Sequence, residues 1–399
     1  MNVIFIGGIY PPDKEAEIRL NSKGGIDNAS NNLQWAFLDG LDHYSSSLKV
    51  VSMTPIRTYP HGYKKAIFKG SIFSHKPGSY DYSLGFINLP LLKHLSIYFN
   101  LHKTLNTITN LNQETIIMIY GIHSPKLKAI YDLKRKMPEI KTCLIVPDLP
   151  QYMSESRNLI YRFFKSIDFF FIKKYLKKID SFVLLSDYMA DELRLENKPW
   201  TRVEGIFQPM EDLDIPIKKE KHKTILYTGN IGQRYGIIAL LEAFSLIKDE
   251  NYRLWIRGNG STKEYILESA KIDKRIKYFE EMTKKELFEL QNRATVLINP
   301  VSAKEKFTKY FFPSKTIDYL ASGTPTIMNR LSCIPKEYFD YVFVPMREDP
   351  EGLKDTIVAV CSKDQAELNE FGKRASQFIL MNKNPITQVG KIYEMINKL

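Results

Sequence analysis

Ser314, Lys315 and Asp318 bring a helix start, a cation and a carboxylate together within a turn and a half. The pair Pro313-Ser314 is a helix-start signal, because a serine hydroxyl can accept from the orphan N–H groups of a first turn. The pattern predicts helix over residues 315–322, stopped by Gly323. Such a terminus attracts anions through its free N–H groups and its dipole. Lys315 adds a mobile full charge, and Asp318, three positions on and on the same face, can accept two hydroxyl hydrogen bonds. The three residues form a seat for a diphosphate beside a ribose.

The rest of the chain must supply the elements that hold this seat. At 399 residues it is too long for one core and suggests two domains. With 44% hydrophobic and 26% charged residues the composition is that of an ordinary globular protein, which argues against long disordered spans. A formal net charge of +12 implies an anionic partner: nucleic acid, a membrane surface or a phosphorylated ligand. The cysteines Cys143, Cys333 and Cys361 are odd in number and far apart, which points to a reducing compartment and away from a zinc site or disulfide frame. Met1 leads straight into a short apolar run without the basic lead of a signal peptide, and no run of about 18 apolar residues occurs. The expected location is cytoplasmic.

Short apolar runs alternate with helix-length periodic segments, the pattern of parallel sheets covered on both faces. Strands are expected at residues 3–6, 50–53, 85–89, 115–119, 142–146 and 181–185 in the first half. The second half repeats the rhythm at 224–227, 253–256, 276–279, 296–298, 326–328 and 341–344. Helices are expected at 27–41, 125–136 and 187–195. The proline-rich, charged stretch between the halves reads as a linker. This gives an α/β architecture of two doubly wound domains: 1–207, linker 208–222, and 223–383, with a helix at 384–399 packing back on the first. Each domain would present its ligand edge at the strand carboxyl ends, so a cleft between two such edges can bring two substrates together.

Several segments of the second half follow strands directly. In residues 227–236, Gly229, Gly232 and Gly236 allow close backbone approach beside Asn230, and Arg234 offers a bidentate cation. Residues 255–260 form a second strand-to-glycine turn through Gly258 and Gly260. Thr283 and Glu286 make a capping box, and the turn before it, with Met282, can meet a base. Singly, each of these is also an ordinary βα connection.

In this order and spacing, the segments resemble the carboxyl-terminal donor domain of the retaining GT-B glycosyltransferases that use nucleotide sugars. That family repeats a G-R-x4-K-G loop, an L-x-I-x-G-x-G turn, a base-binding strand end and an E-x7-E helix. Asp318 matches the second acid of E-x7-E, and Ser314-Lys315 match its S-K lead-in. The chain departs from the pattern at Tyr310, where the first glutamate would lie, and at Asn230 and Tyr235, where the loop's Arg and Lys would lie; Arg234 adjoins the second of these. The resemblance implies a donor site of Gly229, Asn230, Arg234, Gly258, Met282, Ser314, Lys315 and Asp318.

The first half resembles the acceptor domain of the same enzymes. Residues 7–12, then Lys23-Gly24-Gly25 before a helix, match the glycine loop that approaches the donor phosphate, and Gly24 and Gly25 join the binding candidates. The spacing is not GxGxxG, which disfavours a dinucleotide site. The loop over 11–23 is long and polar and is expected to order with substrate. His123 aligns with a histidine near the transferred sugar and Asp148 with a cleft carboxylate. Taken alone, His123 reads equally as a structural residue and Asp148 as an Asx turn. By the resemblance His123, Asp148, Arg234 and Lys315 are the catalytic candidates. Asp212 and Asp214 spell D-x-D within the linker, where they read as solvated charge, and no catalytic metal is expected.

Residues 157–178 mix Arg157, Arg162, Lys165, Lys173, Lys174, Lys177 and Lys178 with Phe163, Phe164, Ile167, Phe170, Phe171 and Leu176. Such a helix can lie among anionic headgroups, or it can pack its apolar residues on the sheet and solvate its cations. The expected function is transfer of a hexosyl unit from a nucleotide sugar, UDP-linked, to a hydroxyl of a lipid-linked glycan in capsule or exopolysaccharide assembly. Partners would be that donor, the glycan acceptor and, peripherally, the inner face of an anionic membrane, with no cofactor beyond the co-substrate. A non-transferring enzyme of the same fold, such as a UDP-sugar epimerase, would release product without an acceptor. A nucleic-acid binder is motivated by net charge alone, and no zinc-finger, RNP or basic-repeat pattern supports it.

Overall fold

The computed structural model describes residues 1–24, 26–109, 114–149, 159–209 and 218–398, without the side chains of 159–164. Gly25, Asp212, Asp214, Arg157 and most of the linker lie outside the described residues, as do the side chains of Arg162, Phe163 and Phe164. The chain divides into two units, Met1–Ile206 with Pro385–Leu399, and Phe207–Asn384.

The first unit contains β1 Asn2–Gly7, α1 Glu15–Asn21, α2 Asn28–Tyr44, β2 Ser47–Ser52, β3 Ile67–Phe68, β4 Ser71–Phe73, β5 Asp81–Ser83, β6 Phe86–Ile87, α3 Leu92–Ile108 and β7 Thr115–Tyr120. It continues through α4 Ser124–Lys136, β8 Lys141–Val146, α5 Leu159–Leu176, β9 Ser181–Leu184, α6 Tyr188–Leu193 and β10 Trp200–Arg202. Eight strands pair in the order β10-β9-β8-β7-β1-β2-β5-β4. All pairs are parallel except β4 with β5. The central strands β1, β7 and β8 are apolar and buried almost throughout, as a sheet covered on both faces requires. The order reverses between β1 and β7, and the carboxyl ends of those strands flank the crevice in which open parallel sheets bind ligands.

The second unit contains β11 Lys223–Thr228, α7 Ile237–Ser245, β12 Tyr252–Arg257, α8 Lys263–Ile272, β13 Ile276–Phe279, α9 Lys284–Arg293, β14 Val296–Asn299, α10 Lys315–Ala321, β15 Thr326–Met328, α11 Pro350–Cys361 and α12 Gln365–Asn382. Its five parallel strands run β13-β12-β11-β14-β15, with the switch between β11 and β14. The loops after those two strands touch: a Cβ on Gly236 would stand 2.3 Å from the Pro300 carbonyl oxygen. After the second unit the chain returns to the first as α13 Pro385–Ile396, which packs on α2 so closely that a Cβ on Gly40 would lie 2.4 Å from Val389 Cγ2.

Two expectations are corrected. The run 85–89 does not join the large sheet, because Phe86–Ile87 pairs antiparallel with Ile67–Phe68 in a sheet of its own. The run 341–344 contributes a single bridge, Phe343 to Ile327; Pro345 has no N–H to continue a ladder, and Tyr341 is drawn aside to stack 4.4 Å from Phe378. The polar stretch 11–23 contains α1, held by the buried Ile18, the Arg19–Glu15 pair at 2.6 Å and the Lys65–Glu17 pair at 2.7 Å.

Candidate functional site

In the second unit the site grows from the end of β11. Tyr319 of α10 accepts from the Thr228 N–H over 2.7 Å, and its own hydroxyl donates to the Thr228 carbonyl over 3.0 Å. This buried clamp fastens α10 to the last residue of β11 and carries Lys315, one turn earlier, over the glycine that follows. Lys315 Nζ donates to Tyr227 Oη over 2.8 Å and lies 4.0 Å from that ring's centroid. Tyr227 in turn donates to the Asn230 carbonyl over 2.5 Å. Gly229, at φ 128, stays open beneath the ammonium, and a Cβ there would lie 3.2 Å from Lys315 Nζ. Gly258 closes the other wall, since its Cβ would fall 1.7 Å from the Gly229 carbonyl oxygen. The result is a narrow backbone floor with a cation above it, a shape suited to a phosphate.

Desolvation pushes the half-buried Lys315 ammonium down to about 7. It also lifts the Asp318 carboxyl to about 6, against the pull of Lys284. Burial raises the Tyr227 phenol well above its ordinary value, so the hydroxyl remains a neutral relay between Lys315 and the glycine turn.

Other donor-site expectations are redistributed. Ser314 stands at the N-cap position of α10, where the helix-start signal places it, but with helical φ and ψ of −50° and −35°, and its side chain caps nothing. The Thr316 and Ile317 N–H groups donate to the carbonyls of Pro313 and Ser314, so little of the first turn is left to bind an anion. The positive charge of the seat therefore rests on Lys315. Asn230 spends its side-chain oxygen on the Gly232 N–H, over 2.7 Å. The exposed Arg234 lies with its guanidinium 4.6 Å from the centroid of Phe307. Met282 packs against the small core of Leu226, Trp255, Leu290 and Tyr319, and the Thr283–Glu286 capping box beside it is complete. Tyr227 and Tyr319 escaped the sequence reading because each sits at an apolar position of its element, where its hydroxyl gives no signal until the fold is known.

In the first unit the turn after β1 is held by α2. Gln34 Oε1 accepts from the Gly8 N–H over 2.7 Å, Asn31 Oδ1 from the Tyr10 N–H over 2.9 Å, and Asp27 caps the helix at Ser30. Gly24 takes φ 87 next to Arg57. Across the switch point, His123 precedes α4, with its ring 5.2 Å from that of His94 and its Nδ1 buried without a hydrogen-bond partner. Burial, followed by the charges of Lys126, His94 and Lys93, holds His123 well below its ordinary value and hence neutral. Asp148 is exposed at the end of β8, raised by desolvation and by the like charge of Asp27.

Residues 222–363 match the family model of the glycosyl transferases group 1. The matched stretch lies within the second unit and contains the Lys315–Tyr227–Gly229 arrangement. Among solved structures, the sucrose-phosphate synthase of Thermosynechococcus elongatus aligns over 100% of both chains at 15% identity, with a TM-score of 0.66. HepE of Anabaena in complex with UDP aligns over 100% of both chains at 11% identity, with a TM-score of 0.63. The lipopolysaccharide outer core galactosyltransferase WaaB does so at 13% identity, with a TM-score of 0.61. At these identities the likeness establishes the fold alone: this chain has the GT-B fold of two Rossmann-like domains. No curated protein sequence matches it.

Proposed function

We propose that the chain is a retaining glycosyltransferase that moves a hexosyl unit from a UDP-sugar to a hydroxyl of a lipid-linked glycan in cell-surface polysaccharide assembly. The observation that carries this reading is Lys315, fixed over the open backbone of Gly229 within the stretch that matches the glycosyl transferases group 1. In this reading Lys315 stabilises the negative charge that develops on the departing diphosphate, and Arg234 adds a more distant cation. Asp318 holds the ribose hydroxyls. The acceptor hydroxyl enters on the face the diphosphate leaves, a route that calls for no protein nucleophile. His123, neutral through burial, follows β7 at the first unit's switch point and Asp148 follows the neighbouring β8, and both serve as polar contacts for the sugars.

Lys315→Ala removes a charge-assisted bond worth about 1.5–3 kcal/mol, so UDP affinity is expected to fall by about tenfold to a hundredfold in titration calorimetry. Because desolvation holds the free ammonium near 7, UDP binding by the wild type should take up a proton above that pH, visible as a buffer-dependent heat that the variant lacks. Unchanged UDP affinity in the variant rejects the reading.

Peripheral attachment to the inner face of an anionic membrane is part of the same proposal. On α5, Ile167, Phe170 and Phe171 are exposed beside Lys173, Lys174, Lys177 and Lys178, whereas Ile172 and Tyr175 are buried. No helix of the described residues is long and apolar enough to cross a membrane. Each lysine near an anionic surface contributes about 1 kcal/mol. The chain is expected to float with vesicles containing anionic lipid, and the quadruple change of those lysines to glutamate is expected to leave it at the bottom of the gradient. Equal flotation of the two forms excludes the contact.

A further inference from the structure

The first unit gathers basic groups at its switch point that the donor reading leaves unused. Lys93, in the first turn of α3, donates from Nζ to the Ile56 carbonyl over 2.5 Å and lies 5.5 Å from the centroid of Phe86. His94 follows it and is exposed, with its ring beside His123. Lys126 is buried and donates to the Tyr120 carbonyl over 2.6 Å. Among the described residues no carboxylate forms an ion pair with Lys93, Lys126 or His123. The neighbouring acid is Asp168 of α5, which accepts from the Ser124 hydroxyl and reaches His94 only at a distance.

Cations buried without counter-ions are costly and are discharged or paired. Burial does discharge part of this group, bringing Lys93 to about 8 and Lys126 to about 7. An incoming anion would restore those charges and pair them. The unpartnered His123 Nδ1 offers a further polar contact in the same place. This is the carboxyl edge between β1 and β7, where an open sheet receives a ligand.

We infer that the acceptor carries a phosphate group, held by Lys93 and His94 beside His123, with Lys126 adding positive potential from behind. The inference rests on the transfer reading and names the chemistry of its acceptor. The phosphate belongs either to a soluble glycosyl phosphate or to a lipid-linked glycosyl diphosphate.

The test is calorimetric titration of the full chain with inorganic pyrophosphate, in a Lys315→Ala background that weakens the donor seat. Lys93→Gln and His94→Gln, each added to that background, are expected to weaken pyrophosphate binding at least tenfold, and Lys93→Arg to restore most of it. Melting temperatures within a few degrees of the parent keep a folding defect from imitating the effect. Pyrophosphate binding that is absent, or that Lys93→Gln leaves unchanged, overturns the proposal. UDP affinity in the otherwise wild-type chain carrying Lys93→Gln should be unaltered, so a failure here is separable from a failure of the donor reading. Glucose 1-phosphate in buffer and a prenyl-diphosphate-linked sugar in detergent micelles then distinguish the two sources: tighter binding of one identifies it, and binding of neither rejects the site.

Discussion

Asp81→Ala is expected to destabilise the first unit by about 3–5 kcal/mol, the range for removing one partner of a buried ion pair. The Asp81 and His75 side chains are 0% and 1% exposed, with His75 Nδ1 2.6 Å from Asp81 Oδ2. Asp81 also accepts from the N–H groups of Val50 and His75 and from the Ser79 hydroxyl, each over 2.8 Å. One carboxylate therefore ties β5 to β2 and to the turn between β4 and β5. Alanine would strand these donors together with a buried imidazolium. The amide exchange of Val50 reports the site locally, and urea unfolding reports the unit. A loss below 1 kcal/mol in both would show that the pair is not formed in solution.

The same pair fixes a pH dependence. Desolvation pulls the His75 imidazolium down, but Asp81 and then Asp42, itself paired with Lys76, outweigh it, and its pKa is raised. Its contribution to stability is thus complete below its unfolded value, about 6.5, and is lost as pH rises through the higher folded value. Burial raises the Asp81 carboxyl, but the hydrogen bonds from His75, Val50 and Ser79 outweigh that and hold it low. Its contribution is present above about pH 4 and is lost as pH falls through the lower folded value. The difference in stability between wild type and Asp81→Ala should therefore be largest from about pH 4 to 6.5 and shrink on the alkaline side.

This latch also marks what the sequence could not disclose. Strands such as β1, β7, β11 and β14 are legible because both faces are buried and an apolar run fills their centres. The strand beside β2 is instead Asp81-Tyr82-Ser83, whose buried acid and serine give no apolar signal; its burial is possible because His75, distant from β2 in the chain, neutralises it. The more apolar run a few residues on is the stronger strand signal, yet Ile87 is 39% exposed and pairs with the still more exposed Ile67. At the site, Lys315 and Gly229 were readable as types at telling positions. Their juxtaposition was not, because it depends on two tyrosine hydroxyls whose partners lie about ninety residues away. The Ser314 cap failed for a local reason: Ser314 is itself helical, and the nearby carbonyls already engage the N–H groups its side chain was expected to serve.

Gly258→Ala is expected to cost at least 1–3 kcal/mol of stability and to weaken UDP binding more than Lys315→Ala does. Its added Cβ would lie 1.7 Å from the Gly229 oxygen, 2.9 Å from the Gly229 carbon and 3.1 Å from Ile231 Cγ2, so backbone has to move. Neither turn has a free direction in which to yield. The Gly229 N–H donates to the Arg257 carbonyl over 3.0 Å and the Ile231 N–H to the Asn259 carbonyl over 3.1 Å, while the Tyr278 hydroxyl holds the Gly258 carbonyl at 2.7 Å. Relief must come by displacing the Gly229 turn, and with it the floor on which a phosphate would rest beneath Lys315. Gly78→Ala separates this crowding from simple backbone strain: Gly78 has φ 82 but nothing within 4 Å of its Cβ, and should lose only about 1 kcal/mol with UDP affinity intact. A Gly258→Ala chain that melts with the wild type and binds UDP equally would mean that the two turns do not meet as described, and the donor seat built on them would fall with that contact.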